Sequence, residues 1–254
     1  MKSLFNLLMR KTGLGNLPVR SRNGILSGAR WTLYPFSSYW RGTTDREAIP
    51  WIDRFCRPGG TALDLGAHFG VFTVAMAQRV GPEGQVIALE PDETARSKCI
   101  RHVRMNHLGQ ARVFSEAASS MNGTVRLVVD SNPGSSTSFV SGDPGKGASA
   151  TCVRLDDLYA REGLRLPQFI KVDVENHGAE ALSGAPKILA GHPNMLMSFH
   201  SEEELAGTRA LLEPLGYRVV SMSGKRVDWG GALYTTAILS TLGDQALFGT
   251  QGRP

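Results

Sequence analysis

Residues 61–91 read TALDLGAHFGVFTVAMAQRVGPEGQVIALEP. Thr61–Leu65 is a short apolar run broken only by Asp64, and Gly66-Ala67-His68-Phe69-Gly70 follows it as a turn. Phe69, Phe72, Val74, Ala75 and Ala77 then recur at mostly helical spacing up to the breaker pair Gly81-Pro82. Val86–Leu89 is a second apolar run, and it ends on Glu90-Pro91. The stretch therefore predicts strand, turn, helix, strand. A strand that enters a helix through small residues presents unpaired N–H groups to a ligand. A carboxylate at the end of the next strand suits the two hydroxyls of a ribose.

A dinucleotide fingerprint needs G-x-G-x-x-G, whose second glycine lets the backbone approach a pyrophosphate. That position is His68 here, which disfavours a nicotinamide-dependent oxidoreductase. The spacing Asp64-x-Gly66-x-x-x-Gly70 instead resembles the first motif of the class I S-adenosylmethionine-dependent methyltransferases. That resemblance implies a loop wrapped round the amino-acid part of the donor and Glu90 on its ribose. The plainer alternative is a structural turn followed by a solvated acid.

Outward from this stretch, strands and helices alternate. Asp45–Phe55 predicts a helix before the first central strand, Glu93–Asn106 another helix, and Ala111–Ser115 the third strand. Val125–Val129 and Thr151–Leu155 predict added strands, with Asp156–Glu162 a short helix. Asn132–Ala150, rich in Gly, Ser and Pro, predicts a mobile loop that could close over a substrate. Phe169–Val174 is the fourth central strand, Gly178–Ala190 its crossover helix and Asn194–Phe199 the fifth strand. Glu202–Leu215 predicts a helix, and Tyr217–Met222 and Ala232–Ser240 a final antiparallel pair. Alternation of this kind makes an α/β, doubly wound, mostly parallel Rossmann-like sheet of seven strands.

The chain has 254 residues, 41% hydrophobic and 20% charged, enough for one large domain without staples. Three widely spaced cysteines (Cys56, Cys99, Cys152) make no disulfide framework and no zinc motif. No apolar run has the length of a membrane span, and MKSLFNLLMRK lacks a full signal-peptide pattern, so the expected location is cytoplasmic. Residues 1–58 carry a net charge of +7 and the remainder −2. The expected division is therefore a basic N-terminal extension over 1–58, a catalytic domain over 59–240 and a tail over 241–254. Within the extension, Ser3–Arg10 predicts a short helix and the aromatic run Trp31–Trp40 a hairpin edge or lid. No basic–aromatic interleaving of the nucleic-acid-binding kind is present.

In open α/β sheets ligands bind beyond the C-terminal strand ends, and those ends carry Asp64, Glu90, Glu116, Asp173, Glu175 and His200. The opening stretch, together with EAASSMNGTV, LDDL, FIKVDVENHGAEALSGA and LMSFH, resembles the FkbM-type methyltransferases over about residues 40–222. The resemblance implies the class I methyltransferase fold and methyl transfer from S-adenosylmethionine to hydroxyl oxygens of sugars or secondary metabolites. By motif, it implies that Asp64, Gly66, Ala67 and Gly70 line the methionine portion of the donor. It implies Glu90 on the ribose, Glu116-Ala117 beside the adenine, and Asp173 and Glu175 near the transferred methyl. Where the family reads D-V-E-G-x-E after the fourth strand, Asn176 and Gly178 stand here. Where it ends the fifth strand in Glu-x-His, this chain has Ser198-Phe199-His200.

A hydroxyl acceptor gives up its proton as it is methylated, and a histidine is a suitable base. His200 is the first candidate, His177 the second, and Asp173 a base or orienting group. Asp173, Glu175 and His200 form an O/O/N set, but no metal is assigned from sequence because ligands on separate strands are not fixed by it. Two functions follow. One is an O-methyltransferase for a small hydroxylated metabolite or sugar. The other is a binding protein or partner subunit of the same fold that keeps donor affinity without catalysis, as the missing rim acids at 178 and 198 would allow.

Overall fold

The computed structural model describes residues 17–33, 39–41, 43–129, 138–141, 146–243 and 246–247. Strand β1 (Pro18–Arg20) pairs antiparallel with β2 (Arg30–Thr32), and a 3-10 turn, Arg46–Ala48, leads into α1 (Ile49–Phe55). The central unit begins with β3 (Thr61–Leu65), α2 (Val71–Val80), β4 (Gln85–Leu89), α3 (Glu93–Met105) and β5 (Ala111–Phe114). An insertion follows: β6 (Ala117–Ala118), β7 (Gly123–Val129), β8 (Ser138–Ser141) and β9 (Ala148–Val153). The chain continues through α4 (Leu155–Glu162), β10 (Phe169–Val172), α5 (Gly178–Ser183), α6 (Pro186–Leu189), β11 (Asn194–Ser198) and α7 (Glu202–Leu212). It closes with β12 (Arg218–Ser221), β13 (Arg226–Val227) and β14 (Thr236–Ser240).

The main sheet runs β13-β12-β14-β11-β10-β3-β4-β5. Strands β3, β4, β5, β10 and β11 are mutually parallel, and β14 lies antiparallel between β11 and β12. Seven strands are those expected; the eighth, β13, is an edge addition. Ser221 N–H donates to the Lys225 carbonyl and Lys225 N–H to Ser221 Oγ, a tight reversal that folds Arg226–Val227 back on β12.

Two expectations change. Asn132–Ala150 is not all loop, because Ser138–Ser141 and Ala148–Ala150 pair antiparallel with β7 in a separate four-stranded sheet. The first of these strands is only four residues long and the second opens Ala-Ser-Ala, too short and too weakly apolar for a period of two to stand out. Within the expected lid, residues 132–137 and 142–145 lie outside the described residues, as do Ser3–Arg10 and residues 34–38 of the aromatic run. The helix expected over Gly178–Ala190 is two pieces, α5 and α6. Pro186 has no N–H to continue the ladder and opens α6 at its first turn.

Each face of the sheet is covered, as a doubly wound fold requires. Ala62, Val74, Met76 and Phe169 share one core with Ile25, Leu26, Trp31 and Trp51 of the N-terminal segment. Leu63, Leu65, Ile87, Leu158, Leu182 and Leu205 fill the other. The hairpin is tied in by polar contacts too. Asn106 bonds both the N–H and the carbonyl of Arg30, at 2.6 and 2.8 Å. His102 stacks on Trp31 with ring centroids 3.5 Å apart. One of its nitrogens lies 2.8 Å from Thr32 Oγ1 and the other 2.8 Å from the Phe69 carbonyl in the glycine-rich turn. No helix among the described residues is long and apolar enough to cross a membrane.

Candidate active site

The turn after β3 is built on positive-φ backbone. Gly66 has φ +75°, His68 +48° and Gly70 +87°. A Cβ on Gly66 would stand 2.0 Å from the Asp173 carbonyl oxygen, and one on Gly70 2.7 Å from Cys99 Sγ. Both glycines are thus required by conformation and by close approach. The N–H groups of Gly66 and Ala67 donate to the Leu89 carbonyl at 3.1 Å each, locking the turn to the end of β4.

Glu90 is nearly buried. One of its oxygens accepts from His68 N–H at 2.7 Å and the other from Asp92 N–H at 2.9 Å. Burial raises its pKa, opposed by those two N–H groups. Each oxygen keeps further lone-pair capacity for a hydroxyl ligand. Asp64, by contrast, is fully buried and serves the scaffold. Its Oδ2 accepts from Thr73 Oγ1 at 2.6 Å, and its Oδ1 lies 3.3 Å from Lys171 Nζ.

Lys171 is a buried charge of the site that sequence reasoning passed over. It is the one charge inside the apolar run Phe169–Val172, and that oddity was the available clue. Its ammonium donates to the carbonyls of Leu65 at 3.2 Å and Gly66 at 2.6 Å. Burial alone would lower its pKa, but Asp64 and Asp173 outweigh burial and raise it.

Of the remaining expected residues, Asp173, Glu175 and His200 meet. His200 Nε2 lies 3.3 Å from Asp173 Oδ1 and 3.7 Å from Glu175 Oε2. Its Nδ1 lies 3.4 Å from Glu204 Oε2 on α7. Hydrogen bonds to Asp173 and Glu204, together with the Glu175 charge, overcome burial and push the imidazole up to about 10. Burial would raise Asp173, but Lys171 and His200 hold its carboxyl below the usual range. His177 stands outside this group; it faces Glu180 at 4.0 Å, and burial lowers its pKa. Glu116 is engaged by Arg161 at 2.7 Å, while Ala117 is buried in β6.

The acid expected at position 178 has a substitute. A Cβ on Gly178 would stand 2.8 Å from Glu204 Oε1, which accepts the Gly178 N–H at 2.9 Å. A carboxylate thus reaches this spot from α7 instead. At 198 the serine hydroxyl lies 3.0 Å from Thr236 Oγ1 on β14. A cavity of about 470 Å³ opens beside Asp173, with Asp45, Glu47, Lys171, Ser198, Ser221 and Thr236 among its lining residues.

In order along the chain, the central strands lie 3-2-1-4-5-7-6 with the seventh antiparallel, and a glycine turn and an acid occupy the first two strand ends. This is the class I methyltransferase fold. The methyltransferase FkbM domain matches residues 64–219, and the chain belongs to that family, whose methyl donor is S-adenosylmethionine. The chain is 30% identical over 86 residues to the ribosomal protein L11 methyltransferase of Thermotoga petrophila, 34% of this chain and 32% of that protein. It is 29% identical over 86 residues to the Thermotoga maritima counterpart, with the same shares covered. The chain thus spans about a third of the length of the curated relatives it matches. Among solved structures, it is similar to an FkbM methyltransferase from Methylobacillus flagellatus (TM-score 0.49, 17% identity, 94% of this chain and 60% of that one). It is also similar to a putative rRNA methylase from Clostridium thermocellum (TM-score 0.47, 14% identity, 76% and 91%).

The residues present fit the donor. With Lys171 answered by Asp64, the carboxylates of Glu90 and Asp173 remain for a ligand that carries two hydroxyls and a net positive charge.

Proposed function

We propose that this chain methylates a hydroxyl oxygen of a small polyhydroxylated acceptor, such as a sugar, with Glu90 on the donor's ribose and the acceptor in the cavity beside Asp173. The observation that carries this reading is the double placement of Asp173. Its carbonyl is packed against Gly66 of the donor turn, and the residue also lines the cavity. Donor loop and acceptor space therefore meet at one residue.

The donor, when bound, supplies an electrophilic methyl on positively charged sulfur. Most of the task left to the protein is placement, which can lower a barrier by ~7–11 kcal/mol. Ser198, Ser221 and Thr236 offer hydroxyl partners along the cavity wall, the pattern a polyol needs. As the acceptor oxygen bonds to the methyl carbon, the carbon–sulfur pair leaves with sulfur and the oxygen becomes a strongly acidic oxonium. A carboxylate of lowered basicity is strong enough to take that proton, so the role falls to Asp173. His200, already held as its protonated form in the ion-free chain, serves to orient Asp173.

Incubation with labelled donor and a panel of neutral sugars and polyols tests the reaction. Transfer at saturating donor that falls by roughly 10²–10⁴-fold in Asp173→Asn, beyond any loss of donor affinity measured alongside, supports the reading. Donor binding by the parent without transfer to any acceptor favours the non-catalytic binding protein.

A further inference from the structure

The geometry points to a divalent-cation site formed by Asp173 Oδ1, Glu175 Oε2 and His200 Nε2, for an ion of the magnesium or manganese class. It extends the proposed reaction at the same site.

The first observation is spacing. The three ligand atoms come from the segments after β10 and β11 and lie within 4.8 Å of one another. The His200 nitrogen is 3.3 and 3.7 Å from the two oxygens. Ligands ~2.1 Å from a common ion stand about 3.0 Å apart on an octahedron and about 3.4 Å on a tetrahedron. The two distances from the histidine nitrogen are about 0.3 and 0.7 Å above the octahedral spacing. Asp173 is divided between two tasks, since its other oxygen, Oδ2, lies 4.0 Å from Lys171 Nζ.

The second observation comes from outside the set. Glu204, whose side chain is 1% exposed, holds its carboxylate with N–H donors from Gly178 and His200, both at 2.9 Å. That carboxylate faces Nδ1 of His200 at 3.4 Å. A buried acid behind one imidazole nitrogen is the arrangement that fixes a metal-binding histidine, because it keeps the proton on that nitrogen and the lone pair on the other. Without an ion, Nε2–H faces those two carboxylate oxygens; a cation that takes the place of this proton would have the Nε2 lone pair and both carboxylates as ligands.

The third observation is charge and access. Asp173, Glu175 and Glu204 surround a single imidazole, an excess of negative charge. The side chains of Asp173, Glu175 and His200 are 40%, 30% and 25% exposed, so an ion can enter and keep positions for water or a substrate oxygen. Two carboxylates and one nitrogen leave about half of an octahedral shell open. The cavity shares one residue, Asp173, with the set, so an acceptor there would lie next to the ion. A hydroxyl bound there becomes more acidic and is held in one orientation.

The test uses the full chain, stripped with a chelator and transferred to metal-free buffer. Manganese(II) is titrated at one fixed pH, with free ion followed by electron paramagnetic resonance and heat by calorimetry. One saturable site per chain in the micromolar range is expected. His200→Ala and Glu175→Gln should abolish it. Glu204→Gln should weaken it by roughly 10–100-fold, the usual effect of losing the carboxylate behind a ligand histidine. Calorimetric donor binding by the same variants shows that they are folded. No saturable site below millimolar manganese, or equal binding by parent and His200→Ala, overturns the proposal. Manganese binding without methyl transfer to any acceptor would leave the metal site standing and count against the proposed reaction alone.

Discussion

Lys171 Nζ donates to the carbonyl oxygen of Gly66 at 2.6 Å, joining the middle of β10 to the donor turn. The same ammonium is the partner of the fully buried Asp64 carboxylate. Removing it leaves a charge with no counter-ion in the core. Lys171→Met should therefore cost about 3–5 kcal/mol of stability, the usual penalty for breaking a buried pair. Urea titration of the single variant and of Lys171→Met with Asp64→Leu checks this. The double variant should recover much of the loss. A single variant as stable as the parent would show that Asp64 is not dependent on Lys171.

Glu90 follows β4 directly, with both oxygens accepting backbone N–H groups. Glu90→Ala should weaken donor binding, since charge-assisted hydrogen bonds to ribose hydroxyls contribute roughly 1.5–3 kcal/mol each. It should also loosen the turn at His68. Titration calorimetry on parent and variant is the measurement, and equal affinities would remove Glu90 from the donor site.

Gly66→Val should do more than block the donor. A side chain there meets the backbone of Asp173 and not merely the ligand space, and φ is +75°. The expected result is lost donor binding together with a lowered urea midpoint. A variant that keeps the parent's midpoint would show that β3 and β10 can part at no cost.

His102 makes stability fall with acid. Burial, only partly offset by its bond to the Phe69 carbonyl, lowers its pKa from the usual ~6.5 to about 4. The folded state thus favours the neutral ring, and the unfolded state takes a proton first as pH falls. Stability is full above about 6.5 and is lost as pH falls through about 4, a change of roughly 3 kcal/mol. Urea midpoints across that window, compared with His102→Gln, should show a slope in the parent that the variant lacks.

The donor turn and the strand that follows it were legible because backbone constraint dictates residue type there. Gly66 and Gly70 stand at positive φ, and Glu90 stands where β4 stops. The rim beyond β10 was only half legible. Asp173 and His200 follow apolar runs and announce themselves, but Glu204 does not. It lies three residues after Ser201, whose hydroxyl caps α7, and that spacing reads as an ordinary helix start. Its use on His200 and Gly178 depends on how α7 packs on α5, which no local pattern encodes. Lys171 was hidden likewise, since a charge inside a core strand is understood only once Asp64 is seen beside it.

The hairpin held by Asn106 and His102 has a consequence for how such chains can be cut or exchanged. The matched family region begins at residue 64, yet Ile25, Leu26, Trp31 and Trp51 lie in the same apolar interior as Ala67, Val71 and Val74. A protein trimmed to the matched region would bare one side of its sheet and become adhesive. The stretch that matches the family is smaller than the stretch that closes this core.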